Sequence, residues 1–413
     1  MPGSTAGWHT ARWHSPAFSG LLCLSGALGL SRATSAQDAA APGSPPVQPR
    51  ATPPVETNTP EVATPAPAAA SDTAPTTESQ EPTATVTVRA TPAPRSASAT
   101  VLGQPLLHAA PHRNASELLL VVPGVFVSQH SGEGKAHQIF LRGFDAAHGQ
   151  DIEMWAAGAP VNEVSNVHGQ GYADLHFLIP EVVQTIRSTP GVYDPRQGDF
   201  AVAGSLQLEL GYGEPGVTAQ AAFGNFGRRR LFLAYHPESA GSETFGAFEL
   251  ENADGFGPAR AARHGSGIAQ ARYDLGPFAL RWMASTYAGR FDSPGVLRLD
   301  DIKVGGLDRF ATYDGKQGGY SSRTQLVAEL TSDTRGAPAT AGLAPPEEWS
   351  LSPYLVLRTL QLRANFTGYL GSVEGDSVQQ RNEALTVGMR SYYRRNVSLF
   401  SARDQLEAGL SLR

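Results

Sequence analysis

Cysteine is almost missing from this chain of 413 residues: Cys23 is the only one, and it sits in an apolar run near the N-terminus. If that run is removed on export, the mature protein has no thiol, which excludes disulfides, thiolate catalysis and cysteine metal ligation. Leu22 stands where a lipoprotein signal has a small residue, so no lipid anchor is expected. Long apolar runs are missing too. None reaches the roughly 18 residues a membrane-spanning helix needs, so a membrane role has to come from strands. Charge is sparse, with 17% Asp, Glu, Lys and Arg and a net charge of −6, which argues against a nucleic-acid binder. There are four Met and 8% aromatics against 44 Gly, a turn-rich balance that points to β structure. The nucleophile-elbow, zinc-helix and phosphate-loop signatures are all absent. Ser165 and His168 have no acid or oxyanion site to complete a triad, and Glu249/Glu251 and Asp300/Asp301 read as solvated strand ends or loops. No enzyme and no cofactor are implied.

What is present divides the chain. Arg12, the apolar stretch from Ala17 to Leu30 and the small-residue ending Ala33-Thr34-Ser35-Ala36 read as a secretory signal over 1–36, the alternative being a disordered, mildly apolar leader. Residues 37–84 hold eleven of the 31 prolines and no aromatic residue, too little apolar surface to offset ordering entropy, so they read as an extended tether. Thr85, Val86, Thr87 and Val88, within 85–90, form a short β-branched strip; it is either a segment that adds to a partner's sheet edge or the first strand of the next domain.

Residues 91–215 mix helix and strand signals. Asn114 or Ser116 is expected to cap a short helix that Pro123 and Gly124 end, and strands are expected near Phe140–Arg142, Val182–Ile186 and Ser205–Leu210. From 216 onward the pattern is period-two apolarity broken by turn residues, the mark of a transmembrane barrel, with a soluble sandwich as the alternative. Ten strands are expected: 217–223, 229–235, 244–250, 268–275, 278–287, 325–330, 351–357, 360–369, 384–393 and 405–412. In the fifth, Ala279, Arg281, Met283, Ser285 and Tyr287 share one face, and Leu280, Trp282, Ala284 and Thr286 the other. Ten strands fall short of the ~22 that plugged barrels use. The C-terminal residues also lack a terminal aromatic, so the barrel over 216–413 is expected to be incomplete, from a longer chain or a truncated product.

Five blocks occur in order between 116 and 204: SELLLVVPGVFV, IFLRGF, GAPVN, HGQGYADLHFLIPE and GDFAVAG. This series resembles the plug domain of TonB-dependent outer-membrane receptors. The resemblance implies a mainly β fold, with a small α+β plug domain inside an antiparallel transmembrane β-barrel. It also implies that Pro123, Gly124, Arg142, Gly143, Gly158, Pro160, Asn162, Gly198, Asp199 and Gly204 shape or hold the plug. Arg142 is expected either to face wall carboxylates or to be a solvated surface arginine. The family's Asp before the GxPVN block is Ala157 here, and Arg187 and Pro190 replace usual charged residues, which removes expected ion-pair partners. On this resemblance the strip at Thr85–Val88 is a TonB box.

The expected partners are the TonB-ExbB-ExbD complex, outer-membrane lipid and a small solute such as a metal chelate, with no nucleic acid. The expected place is the Gram-negative outer membrane, with the N-terminal arm in the periplasm. Uptake of a scarce solute follows, siderophore-iron first, then cobalamin, metals or sugars; the alternatives are an exported binding or adhesion protein that does not transport, and a barrel enzyme. Seven of the nine histidines outside the leader lie between His108 and His176. His130, His137, His148, His168 and His176, with Asp151, Glu153 and Asp174, are of metal-ligating type. None has a fixed metal-site spacing, so polar residues facing a wet lumen are the preferred reading, and His148, His168 and His176 are the metal candidates.

Overall fold

The computed structural model describes residue 96 and residues 98–129, 134–332, 347–371, 376–401 and 404–413. The expected signal peptide, the tether and the strip at Thr85–Val88 lie outside the described residues, as does His130.

The plug begins with β1 (Thr100–Gly103) and α1 (Gln104–Ala109), whose Pro105 sits in the first turn, where a missing N–H costs nothing. A five-residue 3-10 helix follows at Glu117–Val121. Asn114 is its cap: the Oδ1 accepts the Glu117 N–H at 3.2 Å, while Ser116 makes no side-chain cap bond. Next come β2 (Val125–Ser128), β3 (Gln138–Leu141) and β4 (Phe144–Asp145), which form a three-stranded sheet. The second sheet takes β5 (Ile152–Ala156), β6 (Ala159–Pro160), β7 (Val183–Pro190) and β8 (Gly204–Leu210), in the order β1-β7-β8-β5-β6. Only its β5–β8 pair is parallel. The strand β5, apolar at all but Glu153, is buried at every residue, as a strand covered on both faces should be.

The wall is one antiparallel meander, each strand pairing with the next: β9 (Gly216–Phe223), β10 (Arg229–His236), β11 (Phe245–Ala253), β12 (Ala262–Asp274), β13 (Phe278–Asp292), β14 (Gly318–Ser332), β15 (Glu347–Asn365), β16 (Ser377–Val397) and β17 (Asp404–Leu412). A short helix, α2 (Leu299–Lys303), lies in the connection between β13 and β14. The expected faces of β13 hold: its odd-numbered residues from Ala279 to Tyr287 are buried, and Trp282 and Thr286 are exposed. Nine strands replace the ten expected, because 351–357 and 360–369 are one strand. Arg358 and Thr359 do not break it; they pair with Arg323 and Ser322 on one side and Ala384 and Glu383 on the other. β9 and β17 do not pair among the described residues, so the sheet is not a closed barrel. No helix among them is long and apolar enough to cross a membrane.

Plug and wall share one apolar core. Leu118, Ile152, Met154, Phe177 and Leu208 belong to the same buried cluster as Phe232, Ile268, Met283, Val327 and Val356 from the inner face of the wall. The connections 224–228, 254–261 and 293–317 fall at one end of the wall, the loop end. The connections 237–244 and 275–277 fall at the other, the turn end, where the chain leaves the plug.

Candidate functional site at the plug and wall interface

The glycine motifs turn out to be turns. Arg142 (φ 51°) and Gly143 (φ 81°) link β3 to β4, and Ala157 (φ 51°) and Gly158 (φ 87°) link β5 to β6. Two residues with positive φ make the tight turn whose twist suits a hairpin, for which Asn-Gly or Asp-Gly is the preferred sequence. The Asp that Ala157 replaces would thus stand at a turn-forming position. Gly124 (φ 83°) lies in the turn between the 3-10 helix and β2, and its carbonyl accepts the Arg142 N–H at 2.7 Å. Gly204 packs against the backbone of Thr189 and Pro190, where a Cβ would sit 2.6 Å from the Thr189 oxygen. Gly198 donates its N–H to Glu153 at 3.3 Å, and Asp199 is exposed. Burial pushes the Glu153 carboxyl above its usual range. Pro123 stands in the same turn as Gly124, just after the Val122 C-cap of the 3-10 helix.

Asn162 ties the plug together. It is buried; its Oδ1 accepts the Met154 N–H at 2.6 Å, and its amide donates to the carbonyls of Gly149, Ile152 and Gly171 at 2.9–3.1 Å. Beside it, Pro160 offers its carbonyl to the buried Arg323 of β14 at 2.7 Å. Asn162→Ala leaves one donor and three acceptors without their partner, and is expected to cost about 2–4 kcal/mol. Hydrogen exchange at the Met154 amide checks this, and unchanged protection there would remove Asn162 from that role.

The plug's contact with the wall has the opposite polarity from the one expected. Arg142 is exposed and forms no ion pair among the described residues, so the solvated alternative is the one found; Arg187 forms none either. Instead, arginines of the wall reach inward to carboxylates of the plug. Arg358 of β15 donates to Glu163 at 3.1 Å and to Asp174 at 2.6 Å, with all three side chains at most 8% exposed. Ser321 of β14 donates to Asp174 at 3.2 Å, and Asn382 of β16 to Glu163 at 2.8 Å. Burial alone would raise the Asp174 carboxyl, but Arg358 and then His176 hold it well below the usual carboxylate range. A second anchor is Arg230 of β10, which grips Glu181 at 2.6 and 2.7 Å and also bonds Glu249 of β11. A reversed pair runs from Arg196 of the plug to Glu407 of β17 at 2.6 Å. The missing partners at Ala157, Arg187 and Pro190 therefore do not leave the plug unheld. A guanidinium's fork of donors serves two carboxylates at once, which a lysine cannot match.

The histidines fall into two pairs. The Nδ1–H of His148 donates to the Ala136 carbonyl at 2.9 Å, and that of His168 to Gln380 Oε1 of β16, also at 2.9 Å. Their Nε2 atoms face each other at 3.3 Å. His176 lies apart, bonded to Asp174 at 2.6 Å and packed at a tilt against His137 with ring centroids 5.3 Å apart. The three metal candidates are thus not brought together, and no set of three His, Cys, Asp or Glu among the described residues is arranged to hold a metal.

Residues 92–205 match the family model of the TonB-dependent receptor plug domain. The fold is similar to that of the ferric citrate transporter FecA in its unliganded form, at TM-score 0.55 and 14% identity, covering 72% of this chain and 44% of that one. It is similar to FpvA of P. aeruginosa bound to heterologous pyoverdines, at 0.58 and 13%, covering 77% and 42%. The copper transporter OprC matches at 0.52 and 14%, covering 76% and 46%. The chain thus spans less than half the length of these structures. Residues 92–205 thus match the TonB-dependent receptor plug domain, and 72–77% of the chain shares the fold of such receptors, a plug with part of a β-barrel wall.

Proposed function

We propose that this chain serves TonB-dependent uptake of a scarce solute, siderophore-bound iron first, across the Gram-negative outer membrane. The observation that carries the reading is the plug seated on the inner face of the wall and pinned there by buried ion pairs, chiefly Arg358 with Glu163 and Asp174. A domain that only bound ligand at the cell surface would not need its charges buried against the inside of a barrel. In this reading solute arrives at the loop end, and the TonB-ExbB-ExbD complex captures the strip at Thr85, Val86, Thr87 and Val88 by strand addition. Tension then deforms the plug and opens a path. The N-terminal arm lies in the periplasm, the wall faces outer-membrane lipid, and no bond of the solute is made or broken. Iron is favoured because ferric citrate and pyoverdine stand in the names of two structural relatives.

The test is deletion of residues 85–90 in cells taking up a labelled ferric siderophore. Uptake is expected to fall to the level of a strain without TonB, with binding at the cell surface unchanged. Uptake that survives the deletion rejects energised transport through this strip.

A further inference from the structure

The outward face of the wall carries several positive charges that form no ion pair among the described residues. One cross-strand row runs from Arg229 in β10 through Asn252, Arg263, Arg290, Tyr320 and Gln361 to Arg381 in β16. Arg363, also exposed, stands one row further toward the loop end. Three arginine pairs sit directly opposite each other on neighbouring strands: Arg272/Arg281, Arg323/Arg358 and Arg263/Arg290. Like charges in that position repel. The first pair is compensated by Glu243, Asp274, Glu209 and Glu329, and the second lies against Glu163 and Asp174. The third is not. Arg229, Arg263, Arg290, Arg363 and Lys316 form no ion pair among the described residues. Arg263, Arg290, Lys316 and Arg363 line a cavity of about 750 Å³ in which Asp292 is the single carboxylate.

The height of this row identifies its environment. Toward the turn end the same face is apolar, with Leu231, Leu250, Phe248, Trp282, Leu357 and Leu385 exposed. It ends at the aromatic residues Phe278, Trp349 and Tyr393, of which Phe278 and Trp349 pack with ring centroids 5.6 Å apart. Such a girdle marks one interface of a membrane barrel. Phe278 and Arg290 lie twelve positions apart along β13. At ~3.3 Å per residue and a tilt of ~40° that is roughly 30 Å, one hydrocarbon thickness. The arginine row therefore lies at the headgroup level of the opposite leaflet.

We propose that this row, centred on Arg263, Arg290 and Arg363, binds the phosphate groups of a phosphorylated lipid headgroup in the leaflet at the loop end. Phosphate oxygens accept forked guanidinium bonds and supply the counter-charge that the Arg263/Arg290 pair lacks. The proposal rests on the sheet facing lipid, which quenching of Trp282 by brominated acyl chains tests separately.

The full chain in mixed detergent–lipid micelles, probed by native mass spectrometry with lipid A, is expected to retain lipid A in preference to phosphatidylcholine. The triple variant Arg263→Gln/Arg290→Gln/Arg363→Gln should weaken that retention at least about tenfold. The corresponding triple lysine variant, with its charge kept, should hold lipid A more tightly than the glutamine variant even if folding suffers in the latter. Equal retention by wild type and both triple variants overturns the proposal, as does displacement of lipid A by inorganic phosphate at a concentration equal to that of the lipid phosphate. Quenched Trp282 with no preference for lipid A over phosphatidylcholine sinks the arginine row alone; unquenched Trp282 sinks the lipid-facing wall, and the row with it.

Discussion

Arg358→Met is expected to lower the stability of the plug in its seat by about 3–5 kcal/mol, the cost of leaving buried charges without their partner. Glu163 and Asp174 are at most 8% exposed, and both would lose their guanidinium bonds at once. The readout is urea unfolding followed by the fluorescence of Trp155, which packs edge-on against Tyr354 of β15 with ring centroids 5.8 Å apart. The triple variant Arg358→Met/Glu163→Gln/Asp174→Asn should recover most of the loss, because it removes the stranded charges along with their partner. A midpoint for Arg358→Met equal to that of wild type would show that the plug is held by apolar contact alone.

The second large effect is a loss of stability in mild acid that one side chain controls. His137 is buried, with neither ring nitrogen hydrogen-bonded among the described residues, and burial, then His176 beside it, lowers its pKa to about 3. The unfolded chain binds a proton there below pH ~6.5 while the folded plug does not. The depressed folded value therefore means that stability is fully present above about pH 6.5 and falls by about 1.4 kcal/mol for each pH unit below it, down to the folded pKa. Asp174, also depressed, acts in a different window: its contribution is intact above the usual carboxylate range, near pH 4, and is lost only below that. His137→Leu should flatten the slope between pH 6.5 and 4.5 and leave the response to stronger acid in place. A wild-type urea midpoint that stays constant from pH 7 to 5 would dispose of the idea.

The wall was legible from sequence because an exposed face on one side and the plug on the other impose a period of two on its strands, as in β13. β15 was misjudged at Arg358 and Thr359 for an instructive reason. A charged residue in an apolar run reads as a break, yet an inward arginine with buried carboxylates waiting is a ladder residue like any other. Those carboxylates could not be found from spacing, since Asp174 and Glu163 lie 184 and 195 positions away along the chain. Arg142 was legible as a motif but not in its role: the block containing it sets backbone geometry, and its side chain points into solvent. Pro105 after Gly103 was an available start signal for α1 that the reading of the chain did not use.

The placement of β1 sets the order in which the plug would give way under load. It is an edge strand of four residues, tied to the rest by the rungs from Thr100–Ser188 to Gly103–Thr185. A tug arriving from the N-terminal side of Ser96 meets those four rungs first, then α1, while the parallel β5–β8 pair and the Arg358 anchor lie behind them in the line of force. Peeling from a margin is a stepwise failure, so a modest, sustained pull would thin this domain from its rim before it loosened the centre.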